Sequence, residues 1–322
     1  MRPTEDDEFV HTPEDDPDWQ ENLYFSGLAP GHRAAFEVHV AHFPHRGYVH
    51  VAATVGLGGR LVSHIVERPA ANFVSVPRLD VEAIEPLRKL RLRYSGQGYD
   101  GSPMVQGEGL VPFGMDLKMS SPVAPLTTDD QNAEFSWADG RYELGADWTG
   151  TLWCGSNRVA AQGLGVRDHS WGVRSVVVDA YWWLPMYFPD PPTFISGLTV
   201  LQGGRWRGTC AVSDSDGVRQ SGEPWVRPDG IPLPGAYRSA TVVHHPPSER
   251  DPAFLTEAYR VAMRLPHMTR SDEDFILYDM LSTARCGTQK GYCHFQFGAP
   301  EGSPLLTAFL PQFRPEEEGM ST

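Results

Sequence analysis

A short segment near the middle of the chain, GLGVRDHSWGVR, holds several groups that can move protons or stabilise charge. Arg167, Asp168, His169, Ser170 and Trp171 place a guanidinium, a carboxylate, an imidazole, a hydroxyl and an indole between glycines. Successive side chains of a β-strand point to opposite faces. His169 and Trp171 would then share one face, and Asp168 and Ser170 the other. The spacing predicts an imidazole and an indole on one wall of a site.

The segment that follows, VVVDAYWWL, places a carboxylate among aromatic residues. Alternation puts Asp179, Tyr181 and Trp183 on one face and Trp182 on the opposite face. Burial among rings raises the pKa of a carboxyl group, so that it can hold a proton near neutral pH. Aromatic faces stabilise a developing carbocation through their quadrupoles. Protonation with cation stabilisation is the chemistry of alkene hydration and polyene cyclisation, and it requires neither a metal nor a nucleotide.

The same residues also fit a purely structural interpretation. A histidine and a tryptophan on an inward strand face are often core residues. Arg167 and Asp168 can form a structural ion pair, and Asp179 can face solvent on a half-buried strand. The residues alone leave these alternatives open.

The elements that would position these groups are short strands. Glycine and proline number 32 and 28 of 322 residues, which disfavours long helices. Gly58 and Gly59 predict the turn of a hairpin, and residues 253–265 fit either a helix or a strand. Alternating patterns predict strands within residues 34–43, 48–67, 87–96, 146–155, 174–188 and 193–212. Strands spaced about 8 to 15 residues apart predict an all-β chain of antiparallel sandwiches or barrels.

The length is sufficient for two β-domains in tandem. We predict an N-terminal domain over residues 19–165 and a C-terminal domain over residues 166–316. The acidic segment 1–18 and residues 317–322 are predicted to be flexible tails.

Charge and motifs exclude several classes of protein. A formal net charge of −14 opposes attraction to nucleic acid and to anionic lipid. The chain has no apolar run of about 18 residues and no N-terminal signal pattern, which predicts a cytoplasmic protein without membrane insertion. The sequence lacks a Gly-x-Ser-x-Gly elbow, a phosphate loop, a His-Glu-x-x-His motif and a dinucleotide fingerprint. Four cysteines without framework spacing predict buried, reduced thiols.

The twelve histidines raise the possibility of a metal site. His39 with His42, and His244 with His245, lack the third and fourth partners that such a site needs. We therefore predict neither a metal nor another cofactor.

The central GLGVRDHSWG resembles the signature of the carotenoid 1,2-hydratase (hydroxyneurosporene synthase) and AttH-like superfamily. It matches the Gly, Asp-His and Trp-Gly positions of that signature. It also matches a bacterial branch that reads Gly-x-Arg-Asp-His-Ser-Trp-Gly-x-Arg. Weaker matches extend the resemblance over residues 18–298, and they are DWQENLYF, EPLRKLRLRYSG, YELGADWTGTL and GTQKGYCHFQFG.

This resemblance implies two lipocalin-like domains and a large apolar substrate held between or within them. The superfamily includes kievitone-hydratase-like enzymes, tocopherol cyclases and fungal cyclases. Applied to this chain, the resemblance implies roles for His169 and Trp171, with Asp168 as an orienting neighbour. The family's downstream Tyr-x-Asp pair has no match, since Asp179 precedes Tyr181 here.

The resulting hypothesis is a cofactor-independent hydratase or cyclase, a lyase or isomerase acting by acid–base chemistry on a large hydrophobic terpenoid- or polyketide-like substrate. Asp168 or Asp179 would donate the proton, and His169 would act as base or orient water. The pocket wall would comprise Arg167, Trp171, Tyr181, Trp182, Trp183 and Tyr187. The alternative is a non-catalytic lipocalin-like protein that binds a lipid or terpenoid. Apart from this small molecule no partner is predicted, and the oligomeric state is left open.

Overall fold

The computed structural model describes residues 2–69, 78–101, 109–127, 130, 138–174, 177–221, 224–228, 239–244, 253–265 and 274–307. The described chain is built almost wholly from two antiparallel sheets. This confirms the all-β prediction.

The first sheet is a closed barrel with two short additional strands. Its strands run in the order β10-β1-β2-β3-β4-β6-β7-β9, and β9 pairs with β10 to close the ring. β5 pairs with β6, and β8 pairs with β9, outside this ring. The strands are β1 Trp19–Ala29, β2 Ala34–Phe43, β3 Tyr48–Leu57, β4 Arg60–Pro69, β5 Leu79–Glu85, β6 Lys89–Asp100, β7 Leu110–Ser120, β8 Leu126–Thr127, β9 Gly140–Cys154 and β10 Asn157–Val173.

Among the described residues, the second sheet has nine strands in the order β14-β13-β12-β11-β19-β18-β17-β16-β15. The ambiguous segment 253–265 is a strand of this sheet. Its strands are β11 Ala180–Pro189, β12 Pro192–Gln202, β13 Arg205–Asp214, β14 Gly217–Ser221, β15 Pro224–Pro228, β16 Ser239–His244, β17 Ala253–Leu265, β18 Phe275–Cys286 and β19 Gln289–Pro300. The described helices are short, and they are α1 Pro304–Thr307 and the 3-10 turns Glu5–Glu8, Pro30–His32 and Pro44–Arg46.

The predicted hairpin turn joins β3 to β4. Gly58 and Gly59 have φ angles of 64° and 98°, in the region that glycine adopts without a steric penalty. Leu57 pairs with Arg60 across the turn. The turn prediction is confirmed.

The chain passes from the first sheet to the second between Val173 and Ala180. The predicted division at residues 165 and 166 falls inside β10, at a point where the strand pairs with both β1 and β9. At the N-terminus, residues predicted to be a solvated tail include the 3-10 turn Glu5–Glu8. Glu8 pairs with the buried Arg167, which requires a counter-charge. Residues 308–322, with the second predicted tail, lie outside the described residues.

β1 separates two cores because its side chains alternate. Phe25 packs into the core inside the barrel, together with Phe36 and Trp148. Tyr24 points to the opposite face and packs with Trp183 in a core between the two sheets. The strand that pairs with the central motif therefore has one face toward the barrel interior and the other toward the second sheet.

Two expectations drawn from composition are also addressed by the structure. No disulfide joins the cysteines, all of which are described, and Cys154, Cys210 and Cys293 are buried whereas Cys286 is half-buried. Among the described residues, no helix has the length and apolar character that a membrane crossing requires.

Two buried histidines predict an acid-sensitive fold. Burial, followed by the charges of His50 and Arg174, lowers the pKa of His39 to about 3. Burial lowers the pKa of His50 to about 4. In the unfolded chain both imidazoles have the ordinary pKa of 6.5 and take up protons near that pH, so stability is retained above it and is lost as pH falls toward 4.

When the pH falls from 7 to 5, we expect the burial of each of these histidines to lower the free energy of unfolding by about 2 kcal/mol. Urea unfolding should show that His39→Gln loses about 2 kcal/mol less than the unmodified protein over the same change of pH. His32→Gln, at an exposed histidine, serves as control and should retain the full pH dependence. An identical dependence in His39→Gln and the unmodified protein would show that His39 is not the group responsible.

Candidate functional site

Two cavities lie on opposite faces of β1 and β10. The first, the N-terminal cavity, has a volume of about 240 Å³ and is lined by Glu8, Phe9, Val10, Leu23, Phe25, Leu79, Asp80, Val81, Ala83, Tyr142, Arg167, Asp168 and His169. The second, the inter-sheet cavity, has a volume of about 40 Å³ and is lined by Asn22, Tyr24, His39, Arg141, Asp168, Ser170, Arg174, Tyr181, Trp183, Leu277 and Gln296.

Strand alternation divides the central motif between these cavities. Arg167 and His169 line the N-terminal cavity, whereas Ser170 lines the inter-sheet cavity and Asp168 borders both. Tyr181, from the following strand, lines only the inter-sheet cavity. The structure therefore does not place His169 and the aromatic residues of β11 in one cavity.

The N-terminal cavity combines an apolar lining with one buried ion pair. Arg167 Nη1 lies 2.5 Å from Glu8 Oε1. The Arg167 guanidinium also lies 5.9 Å from the centroid of the Tyr142 ring, within cation–π range. Leu23, Phe25 and neighbouring aliphatic residues form much of the remaining wall. The cavity is suited to an apolar ligand with one polar group.

His169 takes part in a cluster at the side of this cavity. His169 Nε2 lies 2.9 Å from Glu21 Oε1, and His11 Nδ1 lies 2.8 Å from the same oxygen. The His11 ring stacks on Trp171 with a centroid distance of 3.8 Å. Gly140, paired with Trp171 across the strands, makes room for the indole, because a Cβ there would lie 2.2 Å from that ring. Three potential metal-ligand atoms of His11, Glu21 and His169 lie within 4.8 Å of one another.

The inter-sheet cavity contains a guanidinium between two carboxylates. Arg141 Nε lies 2.5 Å from Asp168 Oδ2, and Arg141 Nη2 lies 2.6 Å from Glu143 Oε1. Trp183 Nε1 donates a hydrogen bond of 3.1 Å to Glu143 Oε1. Burial raises the pKa of Glu143, and the charge of Asp168 adds to this effect while that of Arg141 opposes it. The sequence predicted Asp179 as the carboxyl group buried among aromatic rings. In the structure Glu143 has that environment, beside Trp183.

A buried hydrogen-bond network connects this cavity to both sheets. His294 Nε2 lies 2.6 Å from Asp279 Oδ1, and His294 Nδ1 lies 3.1 Å from Ser26 Oγ. The Tyr24 hydroxyl, on the cavity wall, lies 3.3 Å from the nitrogens of the His294 ring. Tyr292 donates a further hydrogen bond to Ser26. A carboxylate, an imidazole and a phenol are therefore connected from the interior to the cavity.

Asp279 also connects to the second tyrosine of the cavity. Gln296 Nε2 donates a 2.7 Å hydrogen bond to Asp279 Oδ1, and the Tyr181 hydroxyl donates a 2.7 Å hydrogen bond to Gln296 Oε1. Both tyrosines on the cavity wall are thus oriented by contacts that end at one carboxylate.

Glu37 on β2 adds an acidic group to this network. It neighbours Tyr24 and Asp279 and is almost completely buried. Burial, followed by the charge of Asp279, raises the pKa of Glu37 well above its usual range. Burial and the same two carboxyl groups raise the pKa of Tyr24. The interior beside the cavity therefore favours a protonated Glu37 and a neutral Tyr24, and such clusters of perturbed groups are typical of functional sites.

Four residues predicted for the site line neither cavity. Trp171 is one of them, since its indole stacks on His11 beside the N-terminal cavity. Asp179 is exposed and precedes the start of β11, so it cannot be the buried acid. Trp182 packs against Phe295 and Phe297, in cores of the second sheet that do not border the inter-sheet cavity. The Tyr187 hydroxyl donates to Asp147 and lines neither cavity.

Four residues of the site were not predicted from the sequence, and they are Glu37, Glu143, Asp279 and His294. Glu143 and His294 stand in segments quoted for the resemblance, YELGADWTGTL and GTQKGYCHFQFG, but neither was assigned a role. The alternating His-x-Gln of β19 is the local signal that could have indicated one polar face. No spacing along the chain relates Glu37 to Asp279, because the two come from different sheets.

Comparison with solved structures identifies the fold. The chain is similar to kievitone hydratase from Nectria haematococca, with a TM-score of 0.55, 11% identity and coverage of 87% of this chain and 88% of that chain. It is also similar to CghA solved with Sch210972, with a TM-score of 0.52, 12% identity and coverage of 88% and 89%. These likenesses confirm the lipocalin-like β fold that the sequence resemblance implied. A search of curated proteins found no match.

Comparison with protein-family models gives a match over nearly the whole chain. Residues 4–301 match the family described as "Domain of unknown function (DUF7064)". The matched region contains both cavities, the N-terminal segment with Glu8 and His11, and the whole of β19. The chain therefore belongs to the DUF7064 family.

Proposed function

We propose that this protein is a hydratase or cyclase, a lyase or isomerase that protonates an apolar substrate at the inter-sheet cavity. The observation that carries the proposal is the Tyr24 hydroxyl, which lines the cavity and contacts the buried His294–Asp279 pair. The shared fold with kievitone hydratase supports a hydratase-like reaction by analogy. The proton transfer uses side chains only.

In the proposed reaction, the Tyr24 hydroxyl gives its proton to a carbon of a substrate double bond and takes up a proton from the His294–Asp279 pair that it contacts. The π electrons form the new C–H bond and leave a carbocation on the neighbouring carbon. The faces of Tyr181 and Trp183 stabilise this cation. Because Tyr24 receives a proton as it gives one, its raised pKa does not prevent the relay.

The carbocation then has two outcomes. In hydration, the oxygen of a water molecule bonds to the cationic carbon and loses a proton. In cyclisation, a second double bond of the substrate forms a C–C bond with that carbon, and the ring cation loses a proton. In both cases the released proton returns to the His294–Asp279 pair, so the enzyme is unchanged.

The volume of the cavity limits how the substrate binds. A cavity of about 40 Å³ has room for a few water molecules. We place only the reacting end of a terpenoid- or polyketide-like substrate there. Asp168 then has a different role from the one predicted, since its carboxylate balances the charge of Arg141 beside the reacting end.

The test is product formation from a panel of isoprenoid alcohols and linear polyenes in H₂¹⁸O. We expect a product that has gained one labelled water, or an isomer of unchanged mass, and we expect Tyr24→Phe to reduce its rate about 100-fold or more. Tyr187→Phe is the matched control, because that buried tyrosine lies between the sheets outside both cavities. Full turnover by Tyr24→Phe would refute the relay.

A second candidate function is favoured by the N-terminal cavity. At about 240 Å³, with a largely apolar wall, it is large enough to hold a small lipid or terpenoid without converting it. A carrier of this kind should copurify with an apolar molecule that is recovered unchanged after incubation. Ala83→Phe should displace that molecule, whereas Tyr24→Phe should not affect it.

A further inference from the structure

We propose that His11, Glu21 and His169 bind one divalent transition-metal ion, with Zn²⁺ as the representative of this class. The site is distinct from the inter-sheet cavity, and the proposal does not depend on the proposed reaction. Two imidazoles and one carboxylate are a ligand set found in zinc sites and in mononuclear iron sites. Their donor atoms come from the N-terminal segment, β1 and β10 respectively.

The distances fit a shared coordination sphere. The two imidazole nitrogens lie 2.8 Å and 2.9 Å from Glu21 Oε1, and all three donor atoms lie within 4.8 Å of one another. An ion with bonds of about 2.0–2.2 Å holds adjacent ligand atoms roughly 3.0–3.5 Å apart. Small rotations of the side chains would therefore bring all three atoms to bonding distance.

Two further features distinguish the cluster from an ordinary ion pair. Glu21 Oε2 is buried and has no hydrogen-bond partner within the part of the chain that the structure describes, so a second carboxylate oxygen is available to an ion. His11 Nε2 lies 3.4 Å from Asp7 Oδ1. A carboxylate that accepts from the remote nitrogen of a ligating imidazole fixes its tautomer and raises its basicity. Asp7 is in position to support coordination through Nδ1.

The ion would join the N-terminal segment to the barrel. Phe9 and Val10 directly precede His11 and line the N-terminal cavity, as does His169. Coordination would hold this segment against β1 and β10 and so fix one wall of that cavity. Binding displaces any proton from the two imidazole nitrogens and from Glu21, since ligands coordinate in their deprotonated forms.

The experiment measures metal binding directly. Chelator-treated protein is titrated with ZnCl₂ by calorimetry, and bound zinc is counted by mass spectrometry after dialysis. We expect one ion per chain and a thermal midpoint that rises with the zinc concentration. His11→Gln should weaken binding by more than 100-fold, and Asp7→Asn by about 10–100-fold. His45→Gln, whose ring contacts the carbonyl oxygen of Glu14, is the control and should bind as the unmodified chain does.

His11 is half-buried at the edge of the fold, so His11→Gln is expected to remain folded even if Glu21→Gln does not. Circular dichroism of each variant verifies this. Absence of stoichiometric zinc, or equal binding by His11→Gln and the unmodified protein, would overturn the proposal. Because zinc content is measured without turnover, the result is separate from the outcome for Tyr24→Phe.

Discussion

Arg141→Met is expected to lower the free energy of unfolding by about 3–5 kcal/mol, because it removes the cation that contacts two buried carboxyl groups. Asp168 and Glu143 both contact the Arg141 guanidinium, and the side chains of Arg141 and Glu143 are 9% and 2% exposed. Methionine preserves much of the volume of arginine, so loss of packing contributes little. Urea unfolding at pH 7 measures the effect.

Arg91→Met is the matched control. Arg91 pairs with Asp116 at 2.8 Å, but these side chains are 33% and 39% exposed. Pairs with such access to solvent contribute less than about 1 kcal/mol. The contrast between the two variants isolates the contribution of burial from that of the ion pair itself.

A rescue experiment tests the physical cause. Adding Asp168→Asn and Glu143→Gln to Arg141→Met removes the unpaired charges and should restore most of the lost stability. Lowering the pH should also reduce the loss in Arg141→Met, because Glu143 has a raised pKa and can become neutral by protonation. If the triple variant is as unstable as Arg141→Met alone, lost packing is the cause and the electrostatic explanation is wrong.

The strands were predicted from the sequence more accurately than the surroundings of their side chains. Glycine pairs and alternating patterns correctly predicted the β3–β4 hairpin and the all-β fold. Alternation also gave the opposite faces of Asp168 and His169 correctly. It could not show that the two faces of β10 border different cavities, because this depends on closure of the barrel through pairing with β1 and β9.

The titratable network was not predictable from spacing. His294 and Tyr24 are 270 positions apart, and their contact exists only where the two sheets pack together. Asp179 was a reasonable candidate because it precedes three aromatic residues. Its position before the first paired residue of β11 leaves it exposed, whereas Glu143, without such a local signal, is buried against Trp183. Local patterns report strand faces, and the fold determines which faces meet.

Asp279→Asn is expected to reduce turnover about 100- to 10,000-fold with little change in substrate affinity. Asparagine has nearly the same shape, but its amide cannot exchange a proton with His294 across the 2.6 Å contact as a carboxyl group can. The relay to Tyr24 then lacks its proton donor. Asp147→Asn is the control, because Asp147 is an exposed carboxylate that also accepts a contact from a tyrosine, that of Tyr187, and lines neither cavity.

The pH profile distinguishes this chemical effect from a structural one. The charge of Asp279 is, after burial, the main cause that raises the pKa of Glu37. Its removal should lower that pKa, so Glu37 loses its proton at lower pH. A negatively charged Glu37 beside Tyr24 opposes release of the proton from the Tyr24 hydroxyl, so the alkaline limb of the rate profile should shift to lower pH. Asp147→Asn should leave this limb in place. An Asp279→Asn enzyme with a lower rate but an unchanged alkaline limb would assign Asp279 a purely structural role, since loss of packing does not change the proton affinity of Glu37.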